Sequence, residues 1–194
     1  MKIASFNING IKARLPRLLE WLDESKADVA LLQEIKSVDE NFPRAEIEDL
    51  GYNVATHGQK SFNGVALLSK YPIEDLVCGL PGDDDDEQAR WIEASVNNLR
   101  VCGLYLPNGN PVPGPKFDYK LAWMERMYAR AAELLADEEP ALMAGDYNII
   151  PQPEDAARPA DWTDDALFRP ESRAAFRKLV NLGFTEAFRS CETG

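Results

Sequence analysis

The stretch DVALLQE, residues 28–34, decides the fold class. Its apolar residues form a short and nearly continuous run, which is typical of a β-strand buried on both faces. Such a strand requires a packed layer on each side of its sheet. The run ends on Glu34, a carboxylate, where the apolar residues stop. We therefore expect a covered sheet with polar side chains at its strand ends.

Other segments of the chain alternate between strand and helix patterns. Their periodicity predicts strands over residues 2–7, 52–57, 64–69, 90–96, 99–106 and 140–145, and helices over 14–25, 43–50, 116–136 and 170–182. Because strands and helices intermix, the class is α/β with a mixed sheet or sheets. No repeat, low-complexity tract or linker interrupts the chain, so we expect a single domain over residues 1–194.

The charge is acidic overall but unevenly distributed. The net charge is −12 and the pI is about 4.6, which alone argues against nucleic-acid binding. Residues 1–19 nevertheless carry four basic and no acidic side chains, while the runs 83–87 and 137–139 are wholly acidic. A local basic face on an acidic body fits this distribution.

The cysteines and the amino terminus indicate the compartment. Three cysteines without a CxxC pair predict a reduced, cytoplasmic chain without a zinc site. The first residues run directly into a strand pattern, so we expect no signal peptide. No apolar run approaches membrane-spanning length, so we expect no membrane partner.

Polar side chains recur where the predicted strands end. Sites in sheets packed against helices form where the carboxyl ends of strands open into loops, so such side chains can share one pocket. The candidates are Asn7, Glu34, Tyr105, Asn108, Asp146 and Asn148. Oxygen ligands without a cysteine or histidine cluster suit Mg²⁺ or Mn²⁺. The set therefore predicts metal-assisted hydrolysis of a phosphate ester, with Glu34 as metal ligand and Asp146 directing water.

Five ordered motifs extend this prediction: SFNINGIKAR, LLQEIK, NGVALLSKYPI, LYLPNG and GDYNI. Together they resemble the exodeoxyribonuclease III and AP endonuclease family of the endonuclease/exonuclease/phosphatase superfamily. The resemblance implies a four-layered α/β sandwich of two mixed β-sheets flanked by helices. It also implies a Mg²⁺-dependent (or Mn²⁺-dependent) phosphodiesterase on double-stranded DNA, a repair enzyme that trims 3′ ends and cuts beside abasic sites.

The resemblance also implies roles for individual residues. The implied metal ligands are Glu34, Asn7, Asp146 and Asn148. The implied catalytic residues are Tyr105, Asp146, Asn148 and Asn7. The residues implied to contact DNA are Asn9, Lys12, Lys36 and Asn108. Lys116 and Lys120, at the start of the long helix, fit either phosphate contact or a solvated face, and we favour the solvated face.

Family members continue beyond the point where this chain stops. They add strands and a closing Ser-Asp-His segment, whose histidine binds the scissile phosphate. The fold should therefore lack its C-terminal strands, leave a sheet edge unpaired and be nearly inactive on its own. We expect a monomeric fragment of a longer protein, although a partner that supplies the rest is an alternative.

Two other functions compete with DNA repair. A superfamily phosphatase acting on inositol or lipid phosphates would use the same metal chemistry. The other alternative is a catalytically dead fragment, or a binding or assembly module, which would carry out no metal-dependent reaction.

Overall fold

The structure, a computed structural model, describes residues 1–191. They divide into two compact units. The first unit comprises Met1–Leu106 and Glu139–Tyr147, and the second comprises Pro107–Glu138 and the residues from Asn148 onward. The single domain over residues 1–194 stays a prediction.

The first unit contains two four-stranded sheets and two helices. Its elements are β1 (Ile3–Asn7), α1 (Ile11–Ser25), β2 (Val29–Gln33), α2 (Arg44–Glu48), β3 (Asn53–His57), β4 (Val65–Ser69), β5 (Glu74–Cys78), β6 (Trp91–Val96), β7 (Leu99–Tyr105) and β8 (Ala141–Asp146). The first sheet has the order β1-β2-β4-β3 and the second β5-β6-β7-β8. Each sheet has one parallel pair, β1–β2 or β7–β8, and is otherwise antiparallel. Both sheets are therefore mixed, as predicted.

Strand β2 is buried along its whole length, which explains its unbroken apolar run. Ala30 and Leu32 join a core cluster with residues of α1 and α2. Val29 and Leu31 join a second cluster with apolar residues of the second sheet, including Ile92. Successive side chains of a strand point to opposite faces, so a strand with a layer on each side is apolar throughout.

The second unit is helical in the part that the structure describes. It contains α3 (Pro115–Ala136), α4 (Pro170–Val180) and the short α5 (Ala187–Cys191). Helices α3 and α4 are in contact, and Lys178 Nζ lies 2.6 Å from Glu125 Oε2. The same Nζ lies 4.1 Å from the centre of the Tyr128 ring.

Several predicted boundaries are wrong. Helix α1 begins at Ile11 rather than residue 14, because the amides of Gly10 and Ile11 donate to the carbonyls of Glu34 and Ile35. Strand β5 and helix α5 were not predicted. Most of β5 is exposed at the edge of the second sheet and its pairing with β6 shifts register, so it lacks a clear alternation of apolar residues.

Strand β8 forms the other edge of the second sheet within residues 1–191. All six of its residues are half-buried, although the strand is mainly apolar. The expected unpaired edge is therefore present in the described part of the chain, and its use for pairing or aggregation stays a prediction. None of the described helices has the length and apolar character needed to cross a membrane.

The β7–β8 pair depends on the absence of a side chain at Gly145. A Cβ atom there would lie 1.9 Å from the carbonyl oxygen of Leu104, its register partner. We expect Gly145→Ala to lower the free energy of unfolding by about 1–3 kcal/mol, because the two strands must separate. Urea unfolding measures this, with Gly114→Ala as control, since a Cβ at 114 meets nothing closer than 3.2 Å. Equal losses in the two variants would contradict the close approach.

Candidate active site

The site begins where the two parallel strand pairs end. Asn7 is the last residue of β1 and pairs with Gln33, which Glu34 follows. Tyr105 and Asp146 are the last residues of β7 and β8 and pair with each other. Strands β1 and β8 are in contact, so the carboxyl ends of the two parallel pairs meet. Four predicted site residues are thereby fixed by strand pairing.

The Asn7 amide connects the carboxylates of the two sheets. Its Nδ2 donates to Glu34 Oε1 and to Asp146 Oδ2, each at 2.9 Å. Its Oδ1 accepts the backbone amide of Asn9 at 3.1 Å, which fixes the orientation of the amide group. Both bonds come from one neutral amide group, so the two carboxylates share a single donor that lies between them.

Glu34 is held as a carboxylate by three donors. Tyr105 Oη donates to Oε1 at 2.9 Å, beside the bond from Asn7, and Lys36 Nζ lies 2.8 Å from Oε2. Partial burial raises the pKa of Glu34, but the bonds from Lys36, Asn7 and Tyr105 together outweigh burial. The net result is a pKa below the usual glutamate value, so Glu34 is ionised at neutral pH.

Tyr105 carries a protonated phenol. Burial, followed by the hydrogen bond to Glu34, raises its pKa to about 12. The guanidinium of Arg90 lies 4.8 Å from the ring centre and opposes this rise, and Arg90 Nη1 donates to the Tyr105 carbonyl at 3.2 Å. At neutral pH Tyr105 is therefore a hydrogen-bond donor, and it is held from both the phenol and the backbone.

Arg90 was not singled out from the sequence. It stands just before β6, and no pattern links an arginine there to a tyrosine at the end of β7. Its Nε also donates to Gln88 Oε1 at 2.7 Å. Only the antiparallel β6–β7 register brings Arg90 beside Tyr105.

Two further predicted residues lie beside Glu34: Asn9 in the turn after β1, and Lys36 two residues after Glu34 itself. Lys36 Nζ donates to Asn9 Oδ1 at 2.5 Å while it pairs with Glu34. The side chain of Arg14 donates to the Asn9 carbonyl. Asn9 and Lys36 therefore belong to the same hydrogen-bonded cluster as the carboxylates.

Three residues of this cluster have left-handed backbone conformations. The φ angles are 47° at Asn9, 54° at Glu34 and 51° at Lys36. Asparagine tolerates this region, but glutamate and lysine adopt it rarely and at a cost in energy. The backbone bonds from Ile35 N to Gly64 O (3.1 Å) and from Lys36 N to Asn63 O (3.0 Å) hold the segment in place. Such backbone strain is concentrated at functional sites.

The other predicted residues lie elsewhere. Lys12 is exposed on the first turn of α1. Asn108 and Asn148 belong to the second unit, where the carbonyl of each accepts a hydrogen bond from Lys120 Nζ, at 3.1 and 2.5 Å. The solvated-face interpretation of Lys120 is wrong, because this side chain is fully buried. Lys116, one turn earlier, is exposed.

The chemistry of the first-unit cluster fits a hard divalent cation. Mg²⁺ prefers oxygen ligands, retains several waters and typically uses one or two carboxylates, which Glu34 and Asp146 supply. Within residues 1–191 no group of three or more His, Cys, Asp or Glu side chains is placed to hold a metal ion. The ligands in this cluster would be the two carboxylates that Asn7 connects.

The model of the Endonuclease/Exonuclease/phosphatase family matches residues 4–193 of the chain. The chain belongs to this family. The exodeoxyribonuclease III of Haemophilus influenzae is 37% identical over 203 residues, which cover 97% of this chain and 75% of that protein. The family membership inferred from the five motifs is confirmed, and with it the assignment to a class of hydrolytic enzymes.

Two solved structures confirm the fold class. An AP endonuclease from Archaeoglobus fulgidus has a TM-score of 0.93 at 35% identity, covering 98% of this chain and 74% of that one. A 3′-5′ exonuclease, NExo, from Neisseria meningitidis has a TM-score of 0.94 at 33% identity, with the same coverage. The chain thus spans about three-quarters of the length of these relatives.

The contribution of Lys36 to the ionisation of Glu34 is testable. We expect Lys36→Met to raise the pKa of Glu34, because the variant removes a hydrogen bond and a positive charge that favour the carboxylate. Because folding lowers the pKa of Glu34, its ionised form stabilises the folded state at pH values above the pKa that Glu34 has in the unfolded chain. This contribution is lost as the pH falls through the pKa of Glu34 in the folded state. The variant should therefore lose less stability than the parent on acidification. Carboxyl ¹³C NMR titration in metal-free buffer measures the pKa.

Lys12→Met is the matched control, because it removes the same charge from an exposed position on α1. It should leave the titration of Glu34 unchanged. The same titration curve in Lys36→Met and the parent would show that Asn7 and Tyr105 alone keep Glu34 ionised.

Proposed function

We propose that this protein is a Mg²⁺- or Mn²⁺-dependent phosphodiesterase that acts on double-stranded DNA at 3′ ends and abasic sites. The observation that carries the proposal is the Asn7 amide that connects Glu34 and Asp146, with the Tyr105 phenol on the same Glu34 oxygen. Two carboxylates suit a divalent metal ion and a base that directs water, and a protonated phenol suits a phosphate oxygen. The relatives named an exodeoxyribonuclease, an AP endonuclease and a 3′-5′ exonuclease support DNA as the substrate.

Each cluster residue has a role in this proposal. Asp146 orients and deprotonates the attacking water, and Asn7 holds Asp146 in position. Tyr105 stays protonated at neutral pH, and its phenol, which donates to Glu34 in the structure, would turn its single proton to the scissile phosphate when substrate binds. A donor aimed at developing negative charge typically accounts for about 10²–10³ in rate. Glu34 and Asp146 would hold the metal, which would supply positive charge to neutralise the phosphate oxygens.

The remaining predicted residues bind other parts of the substrate in this proposal. Asn148 and Asn108 hold phosphate oxygens through their side-chain amides. Lys36 and Lys12 bind the DNA backbone, together with Asn9, which shares a hydrogen bond with Lys36. The acidic body of the protein makes a small DNA footprint the physically favoured one, with few phosphates neutralised.

This chain covers about three-quarters of the length of these relatives. The resemblance implies a phosphate-binding histidine and its aspartate in a closing Ser-Asp-His segment of the family. We therefore propose that residues 1–194 by themselves cleave DNA only weakly. Cytoplasmic location and a monomeric state stay predictions.

An enzyme-excess assay tests this function. The chain is incubated with a duplex that contains one abasic site, and with inositol phosphates in a parallel reaction, each with Mg²⁺ or Mn²⁺ and with a chelator. We expect slow, metal-dependent cleavage beside the abasic site and no release of phosphate from the inositol compounds. Glu34→Gln and Asp146→Asn should each reduce the cleavage rate by about 10²-fold or more, since each removes a metal ligand or the water-directing base.

Asp84→Asn is the matched control, because Asp84 is an exposed acid in the acidic run of residues 83–87. It should cleave at the parent rate. Phosphate release from the inositol compounds without DNA cleavage would show that inositol phosphates, rather than DNA, are the substrate. Cleavage that survives Glu34→Gln would reject the proposed site, and a rate equal to that of a longer relative would reject the proposed weakness of the chain.

A further inference from the structure

Lys120 is the fully buried lysine of α3, with no exposed surface. A lysine is seldom buried completely, because its amine loses hydration that only hydrogen bonds can replace. Its Nζ donates to the main-chain carbonyls of Asn108 and Asn148, at 3.1 and 2.5 Å. One side chain therefore joins two loops that lie forty residues apart in sequence.

The loop around residue 109 is built to admit this side chain. Gly109 is buried and has a φ of +91°, and a Cβ atom there would lie 2.6 Å from Lys120 Cδ. Any side chain at residue 109 would therefore push the stem of Lys120 aside. The glycine next to Asn108 and the lysine on α3 fit as a pair.

The second loop has a backbone conformation that needs support. Asn148 has a φ of 45°, in the left-handed region. Its carbonyl makes the shorter of the two bonds to Lys120. A fixed carbonyl fixes the peptide plane, and with it the direction in which the Asn148 side chain leaves the backbone.

We infer that Lys120 is a positioning residue, which sets the two side-chain amides proposed to hold phosphate by bonding the carbonyls of their own residues. The inference rests on the proposed function, since it assigns no new chemistry to Lys120. The amine touches main-chain oxygens rather than substrate, so it acts through Asn108 and Asn148. A displacement of about 1 Å at such groups can cost about 10²-fold in rate.

Single-turnover cleavage of the abasic duplex by Lys120→Met tests the inference. Met keeps the apolar stem and removes every N–H donor. We expect the rate at saturating protein to fall by about 10- to 100-fold, while the half-saturating protein concentration changes less than about threefold, because the amides act on the phosphate in the transition state. Lys120→Arg, which retains donors, should recover part of the rate.

Two comparisons separate positioning from loss of stability. Leu179→Ala removes a buried side chain of α4 in the same unit, so it destabilises the unit at a position outside both loops in sequence. Once corrected for its folded fraction, its cleavage rate should match the parent. In a double-mutant cycle, Lys120→Met should cost little further in the Asn148→Ala background, because both changes act through one group. Full additivity would overturn the inference.

Amide NMR spectra test the inference even if the parent chain shows no cleavage activity. Lys120→Met should shift the resonances of residues 108–110 and 147–149 more than Leu179→Ala does. If the parent chain leaves abasic DNA intact, the proposed function fails by itself, and these spectra still decide whether Lys120 fixes the two loops. Unchanged loop resonances, or a rate within twofold of the parent, would overturn the inference. If Lys120→Met does not fold, the same spectra and rates are taken on Lys120→Arg, where displaced loop resonances without any loss of rate would overturn it.

Discussion

The amide of Asn7 is the interaction on which the site in the first unit depends. It donates to a carboxylate from each sheet, Glu34 and Asp146, with equal 2.9 Å bonds. Without a donor between them, two carboxylates converging from neighbouring strand ends would repel each other. The amide offsets part of that repulsion without adding a charge, and Lys36 on the far oxygen of Glu34 supplies a positive charge.

The Asn7 amide can reach both carboxylates because strand pairing fixes the positions of Glu34 and Asp146 at the strand ends. Parallel pairing sets Asn7 against Gln33 in one sheet and Tyr105 against Asp146 in the other. The burial of β2 on both faces holds the first pair, and the close approach at Gly145 holds the second. The left-handed conformation of Glu34 then turns its side chain off the strand, and neighbouring backbone bonds sustain it. Rigid strands and a strained turn thus produce one preorganised cluster.

A structural feature could be predicted from the sequence where it depends on a single strand or helix. Strand β2 could be read from its apolar run, since burial on both faces leaves no other pattern. The residues at strand ends could be proposed as neighbours, because parallel strands deliver their carboxyl ends to one edge. Strand β5 could not be found, as an exposed edge strand needs no apolar alternation. Arg90 depends on a cross-strand register, and Lys120 on two carbonyls from distant loops, and neither contact leaves a local signal in the sequence.

The two lysines show why charge alone is a poor guide to this surface. Lys36 is partly exposed, pairs with Glu34 and offers a positive charge beside the carboxylates, whereas Lys120 is enclosed and bonds only main-chain oxygens among the contacts described. Counting both as basic surface would misplace one of them. At physiological salt, charges more than about 8 Å apart are largely screened. Lys36, Asn7 and Tyr105 contact Glu34 directly, so a phosphodiester at the cluster would meet these three side chains first. The −12 net charge therefore does not by itself exclude an anionic substrate.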